Sequence, residues 1–201
     1  MPLKEYSYID PDGRYTDKNT GVLFNKADIK EADILLVFES FKVSERLEQL
    51  HAKPIKVKAA ADLLKIHKFL FQDVYGWAGE VRKVEISKSG RQFLYSSRFP
   101  MAFGYLDSLL GKYFGLDAKD KRKVAEGLAD ILDNINELHP FREGNGRTQR
   151  EFLRTLALEK GYTLDLNPPD NKDIYDRYMH GTIKADIGVL QELIFEVLKP
   201  V

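Results

Sequence analysis

The side chains best suited to chemistry are concentrated in one segment, Leu138-His139-Pro140-Phe141-Arg142-Glu143-Gly144-Asn145-Gly146-Arg147-Thr148-Gln149-Arg150. His139 is of the type that takes or gives a proton near neutral pH. Glu143 is a lone carboxylate. One carboxylate does not make a tight all-protein metal site, but it suits Mg²⁺, which keeps several waters and shares its coordination with substrate phosphates. Gly144-Asn145-Gly146 can take positive φ cheaply, and successive backbone N–H groups then converge into an anion-binding nest. A helix starting directly after the nest adds its own free N–H groups and the positive end of its dipole. Arg147 and Arg150, three apart on that helix, share a face, and the guanidinium fork matches phosphate oxygens. Together these parts describe a polyphosphate site with a candidate general base beside it. The reaction class they point to is transfer of part of a nucleotide.

Taken singly, each part has a plainer explanation. A histidine before proline is usually structural, a Gly-Asn-Gly run is usually only a turn, and an arginine pair on a helix is usually a solvated face. Their co-occurrence between two clean helix signals is what carries the reading.

Those helices must position the segment. Ile131, Leu132, Ile135 and Leu138 recur on one face of a helix predicted over 118–138. Pro140 disfavours helical backbone at His139 and stops that helix, leaving His139 at the mouth of a loop with Phe141 as its apolar anchor. A second helix is predicted over 146–160, with Gly161 as its C′ residue. Further helices are expected near 28–50 (one helix, or two in tandem), 58–75, 99–115, 171–180 and 185–198. The run Val84-Glu85-Ile86, a turn at Lys88-Ser89-Gly90-Arg91, and Gln92-Phe93-Leu94-Tyr95 read as the one β-hairpin. Residues 1–25 read as an irregular arm packed on a domain that occupies 26–201. The expected fold class is all-α with one small β-hairpin.

Composition narrows the classes. The chain has 201 residues, with Lys+Arg and Asp+Glu both at 31, so the formal net charge is zero. The basic excess of a general nucleic-acid binder is absent. There are no cysteines, which rules out disulfides and thiolate metal sites. No membrane-length apolar run and no signal-peptide pattern occurs. The expected location is the cytoplasm, which leaves secretion into a host cell open.

His139 through Arg150 matches the Fic-domain signature His-x-Phe-x-(Asp/Glu)-Gly-Asn-Gly-Arg-x-x-Arg without departure, and the chain resembles that family. Ile66-His67, Leu70-Phe71, Asp73-Val74-Tyr75-Gly76-Trp77-Ala78-Gly79 and Arg82 look like the stretch before the family's flap. Tyr15-Thr16-Asp17 with Gly21-Val22 resembles the entry arm of bacterial Fic toxins and Bartonella-type effector Fic domains. The resemblance implies the Fic fold, a helical bundle whose hairpin at about 84–95 is the flap. It also implies a protein adenylyltransferase that moves AMP from ATP, with Mg²⁺, to a Ser, Thr or Tyr hydroxyl of a target protein. By that resemblance His139 is the base and Glu143 the metal ligand. Gly144, Asn145 and Gly146 hold the α- and β-phosphates, Arg147 the β/γ region and Arg150 the γ-phosphate. Arg142 and Lys88 join the nucleotide-binding set, and Lys88 and Phe93 form the target-docking flap, to which an extended segment adds as a strand. For Phe93 an ordinary core-facing role is a strong competitor.

Many members of this family carry an inhibitory helix with (Ser/Thr)-x-x-x-Glu-(Gly/Asn). Ser44-Glu45-Arg46-Leu47-Glu48 has the first spacing, but Gln49 follows, and an ordinary amphipathic helix is preferred here. The missing pattern resembles the toxin class whose inhibitory helix comes from a separate small antitoxin. By analogy the target is the ATPase subunit of gyrase or topoisomerase IV. Two further outputs stand beside AMP transfer: a Fic-fold enzyme moving another group, such as UMP or phosphocholine, or removing AMP, and a binding module with a relic site. The intact motif ranks both lower. His67, on an apolar helix face, reads as a satisfied core histidine, and Trp77 as a packing anchor under the flap. Tyr175 and Tyr178 read as base-pocket or packing residues. His51 and His180 lack metal-site spacing, and Gly104 to Gly111-Lys112 lacks that of a phosphate-binding loop.

Overall fold

The computed structural model describes residues 6–10, 12–88 and 91–201. The chain divides into two compact units. The first comprises Met1–Ile55, Leu64–Phe99 and His139–Asn145, and the second Lys56–Leu63, Pro100–Leu138 and Gly146–Val201.

The first unit opens with strand β1 (Tyr6–Ile9), followed by helix α1 (Ala32–Ala52). Helix α2 (Asp62–Phe71) begins in the second unit and ends in the first. Strands β2 (Glu85–Lys88) and β3 (Arg91–Gln92) follow. The expected hairpin is therefore present, but it is part of a three-stranded antiparallel sheet ordered β1-β2-β3. Tyr6 pairs with Lys88 and Ile9 with Glu85 along β1 and β2, and Ser87 pairs with Gln92 across the hairpin. The expected turn residues Ser89 and Gly90 lie outside the described residues, as does the Lys88 side chain. The arm was expected to be irregular, yet it supplies a whole strand, because four residues of alternating type are too short to stand out from loop sequence. Tyr15 is buried in a cluster with Val84, Ile86 and Phe93, which seats the arm against the hairpin.

Helix α1 buries Leu35, Val43 and Leu50 and leaves Ile34, Val37 and Phe41 exposed on the other side. Arg46 forms a two-point ion pair with Asp73, at 2.6 and 2.8 Å, and Tyr75 donates to the buried Glu39 carboxylate. Glu48 is exposed on this helix, as an ordinary amphipathic helix requires. Helix α2 is shorter than the predicted 58–75. At its start the Asp62 carboxylate accepts the N–H groups of Lys58 and Ala59 (2.7 and 3.0 Å) and holds them in a turn. At its end the Val74 N–H turns back to the Phe71 carbonyl.

The second unit holds α3 (Phe99–Phe114, whose first residue belongs to the other unit), α4 (Lys121–Leu138), α5 (from Asn145 to Glu159), α6 (Lys172–Lys184) and α7 (Ile187–Val197). Strands β4 (Tyr162–Thr163) and β5 (Lys199–Pro200) pair as a two-residue ladder that periodicity does not register. Helix α4 packs on α7, and α7 on α6. Val124, Leu128, Ile131, Leu132, Ile135 and Leu138 are all buried, which is the face the spacing predicted. Gly161 follows α5 at φ +79°, in the left-handed conformation expected of a C′ glycine. Among the described residues no helix is long and apolar enough to cross a membrane.

Candidate active site

Helix α4 stops at Leu138, and His139 follows with φ +42°, before Pro140. The loop turns again at Gly144, φ +83°, and α5 begins at Asn145, one residue earlier than expected. Positive φ is thus taken at His139 and Gly144, not at Asn145 or Gly146, which are already helical. Gly144 is required twice over. Its φ suits glycine, and a Cβ there would lie 2.3 Å from the Phe71 ring.

Three side chains hold this loop. The Asn145 amide brackets one peptide: its Nδ2 donates to the Phe141 carbonyl (2.8 Å) and its Oδ1 accepts the Phe141 N–H (2.9 Å). Both ends of the Asn145 side-chain amide are thereby taken. Arg82 is fully buried. Its N–H donates to the Pro140 carbonyl (2.7 Å) and its Nε to the His139 carbonyl (2.9 Å). The rest of the guanidinium reaches the flap: Val84 carbonyl at 2.6 Å, Leu94 carbonyl at 2.5 Å and the Glu85 carboxylate at 3.1 Å. Burial pulls the Arg82 pKa below its ordinary value, and Glu85 acts against that. His67 is the third. Its Nδ1 accepts the Gly79 N–H (2.8 Å), so the proton sits on Nε2, which faces the Glu143 carbonyl at 3.0 Å. Its ring stacks on Phe141, with centroids 3.7 Å apart. His67 is the satisfied core histidine its helix face predicted. Neither its link to Glu143 nor the reach of Arg82 across to His139 had a signal in the sequence, since both partners lie far away along the chain.

His139 is buried, 6 % exposed, and its ring lies parallel to Phe93 at 3.8 Å between centroids. Phe93 is thus both a core residue and the flap's contact with the candidate base. Glu143 is half-buried and its Oε1 accepts the Gly144 N–H (2.8 Å). Arg142 is buried in the loop.

In the second unit, Arg147 and Arg150 are half-buried on the first two turns of α5, and Thr148 and Gln149 between them are buried. The Arg150 guanidinium lies 5.8 Å from the Tyr175 ring centroid and 5.7 Å from that of Tyr178. The two tyrosines thus lie against the motif's second arginine.

The profile of the Fic/DOC family matches residues 56–157, about half of the chain. Over 161 residues the chain is 36% identical to protein adenylyltransferase VbhT of Bartonella schoenbuchensis, covering 80% of this chain and 34% of that protein. The chain thus spans about a third of that relative's length. It is 33% identical over 186 residues to the probable protein adenylyltransferase y4lH of Sinorhizobium fredii, covering 89% of this chain and 90% of that one. Among solved structures, the N-terminal Fic domain of a putative cell filamentation protein from Bartonella quintana, with bound ADP, superposes with a TM-score of 0.81 at 26% identity, covering 92% of this chain and 94% of that one. The helices and small sheet described above are those of the Fic fold. Profile, identity along nearly the full length of a relative, and shared fold agree: the chain belongs to the Fic/DOC family.

Proposed function

We propose that this protein transfers AMP from ATP to a hydroxyl side chain of another protein and releases pyrophosphate. The observation that carries the reading is the unbroken run His139–Arg150, with its histidine clamped at the carbonyl by Arg82 and at the ring by Phe93. The names of the relatives, protein adenylyltransferases, and the ADP bound in the Bartonella quintana domain support it.

In this mechanism His139 takes the proton of the target hydroxyl as its oxygen attacks the α-phosphorus. The bond from that phosphorus to the bridging oxygen breaks, and pyrophosphate leaves. The N–H groups of Gly144, Asn145 and Gly146, at the turn and the start of α5, receive the α- and β-phosphates, that of Gly144 giving up its bond to the Glu143 Oε1 to do so. Arg147 holds the β/γ region and Arg150 the γ-phosphate, with Arg142 and Lys88 completing the nucleotide set. Among the described residues no three His, Asp or Glu side chains converge as a metal cage. The donor set of Glu143 alone fits Mg²⁺, which brings its own waters and takes phosphate oxygens. When bound, the ion supplies charge neutralisation on the phosphates.

The target adds as a strand to the flap beside Phe93. By analogy with bacterial toxins of this fold, the ATPase subunits of gyrase and topoisomerase IV are the targets to test first. The inhibitory helix, absent from α1, belongs to a separate small antitoxin in this reading. The exposed row Ile34, Val37 and Phe41 supports a protein partner on α1. The proposed place of action is the cytoplasm.

The test is incubation of the purified chain, and of its His139→Ala variant, with Mg²⁺, bacterial lysate and ATP labelled on the α-phosphate. Labelled protein bands are expected with the unmodified chain alone, and without any change at Glu48. Bands that persist undiminished in His139→Ala would sink the assignment of the base.

A further inference from the structure

An arginine side chain loses much rotamer freedom when it is held in one place. An arginine that must meet a phosphate gains when the free protein already holds it in place. Arg150 has no carboxylate partner among the described residues. It has Tyr178, on α6. Tyr178 is 2 % exposed, the Arg150 guanidinium lies 5.7 Å from its ring centroid, and its hydroxyl donates to the Gln149 Oε1 at 3.2 Å. With its proton given to Gln149, the phenol oxygen keeps its lone pairs for a donor, and the Arg150 guanidinium is the donor beside it at Gly146. Gln149 is itself 2 % exposed, and its Nε2 is buried with no partner among the described residues, so the Tyr178 hydroxyl anchors that amide through its Oε1.

The place where these groups meet is informative. A Cβ built on Gly146 would lie 3.5 Å from Arg150 Nη1 and 3.8 Å from the Tyr178 hydroxyl. Both groups therefore lie beside Gly146, in the first turn of α5. Tyr178 is itself fixed: Thr182 Oγ1 donates to its carbonyl (2.9 Å), and Asn136 Nδ2 donates to the Thr182 carbonyl (2.9 Å), tying α6 to α4.

We infer that Tyr178 is a positioning residue for Arg150, holding the guanidinium over the α5 N-terminus so that it meets the terminal phosphate of a nucleoside triphosphate. The inference rests on the proposed ATP reading and adds to it a residue outside the His139–Arg150 motif. Tyr178 touches no nucleotide in this account and acts through Arg150.

The experiment is titration calorimetry of Mg·ATP and Mg·ADP into the full chain and into Tyr178→Phe, Arg150→Ala and the double variant. Tyr178→Phe keeps the ring and loses the hydroxyl. It is expected to weaken ATP binding by about 3- to 10-fold, the value of one hydrogen bond, and to leave ADP binding nearly unchanged. In the Arg150→Ala background the same change should have no further effect on ATP. Gln149→Met, which leaves Tyr178 intact and removes its acceptor, should give a smaller loss, again for ATP over ADP, should Tyr178→Phe prove unstable. Equal weakening of ATP and ADP, or an undiminished effect of Tyr178→Phe without Arg150, overturns the inference alone. A chain that binds neither nucleotide overturns it together with the ATP reading, and the labelling assay with His139→Ala judges that reading independently.

Discussion

Left-handed backbone is uncommon at a residue with a Cβ, and His139 adopts it at φ +42°. The surrounding contacts supply the reason it persists: Arg82 takes the His139 carbonyl and the Pro140 carbonyl together, and Phe93 covers the ring. Gly144 takes the same region with Phe71 packed where a side chain would go. Gly144→Ala must both strain the backbone and displace the Phe71 ring, so it should destabilise the protein by about 2–4 kcal/mol. Urea unfolding midpoints check this, and a loss within experimental error would mean that the loop relaxes without the glycine. The role of Asn145 shows how far residue type reads and where it stops. Its place in the motif was legible, but only the fold shows that its amide grips the Phe141 peptide.

At the scale of elements, the flap has one edge taken and one open. Strand β1 covers the outer side of β2, which leaves β3 as the edge. The Phe93 N–H bonds to the Ile86 carbonyl, so by alternation Gln92 turns its N–H and C=O away from β2. An extended target would pair there, next to the residue stacked on His139. Proline at 92 removes the outward N–H without breaking an internal ladder bond, as proline on an edge strand can. Gln92→Pro is therefore expected to lower target labelling by about tenfold or more while nucleotide affinity stays unchanged. Calorimetry with Mg·ATP beside the labelling assay separates the two, and unchanged labelling would place target docking elsewhere.

For the whole molecule, the balance of 31 acidic and 31 basic residues leaves the buried ionisable groups to shape pH behaviour in the alkaline range. Tyr113 is buried, donates to the Leu156 carbonyl at 3.0 Å, and has its pKa raised, first by burial and then by the negative potential of Glu159. A raised pKa in the folded state means that the neutral phenol is favoured there. The stability this contributes is whole below the unfolded tyrosine value of about 10 and declines as pH rises above it. Thermal midpoints measured from pH 8 to 11 should fall at the upper end, and Tyr113→Phe should show a shallower fall. An identical slope in the variant would remove Tyr113 as the cause.

Short-range patterns were enough to determine the motif, the helices around it and the family, because helix periodicity, a proline stop and a glycine turn act over a few residues. The buried face of α4, the start of α5 beside Asn145 and the C′ glycine at 161 were all readable in this way. The tertiary structure alone decided that β1 joins the hairpin, that Arg82 joins the hairpin to the His139 loop, that His67 meets the Glu143 carbonyl, and that Tyr178 lies against Arg150. Each of these is a contact between residues far apart in sequence. Hydrogen-bond geometry and burial arise from how the chain comes together in space, and residue spacing along a helix or strand carries no record of them.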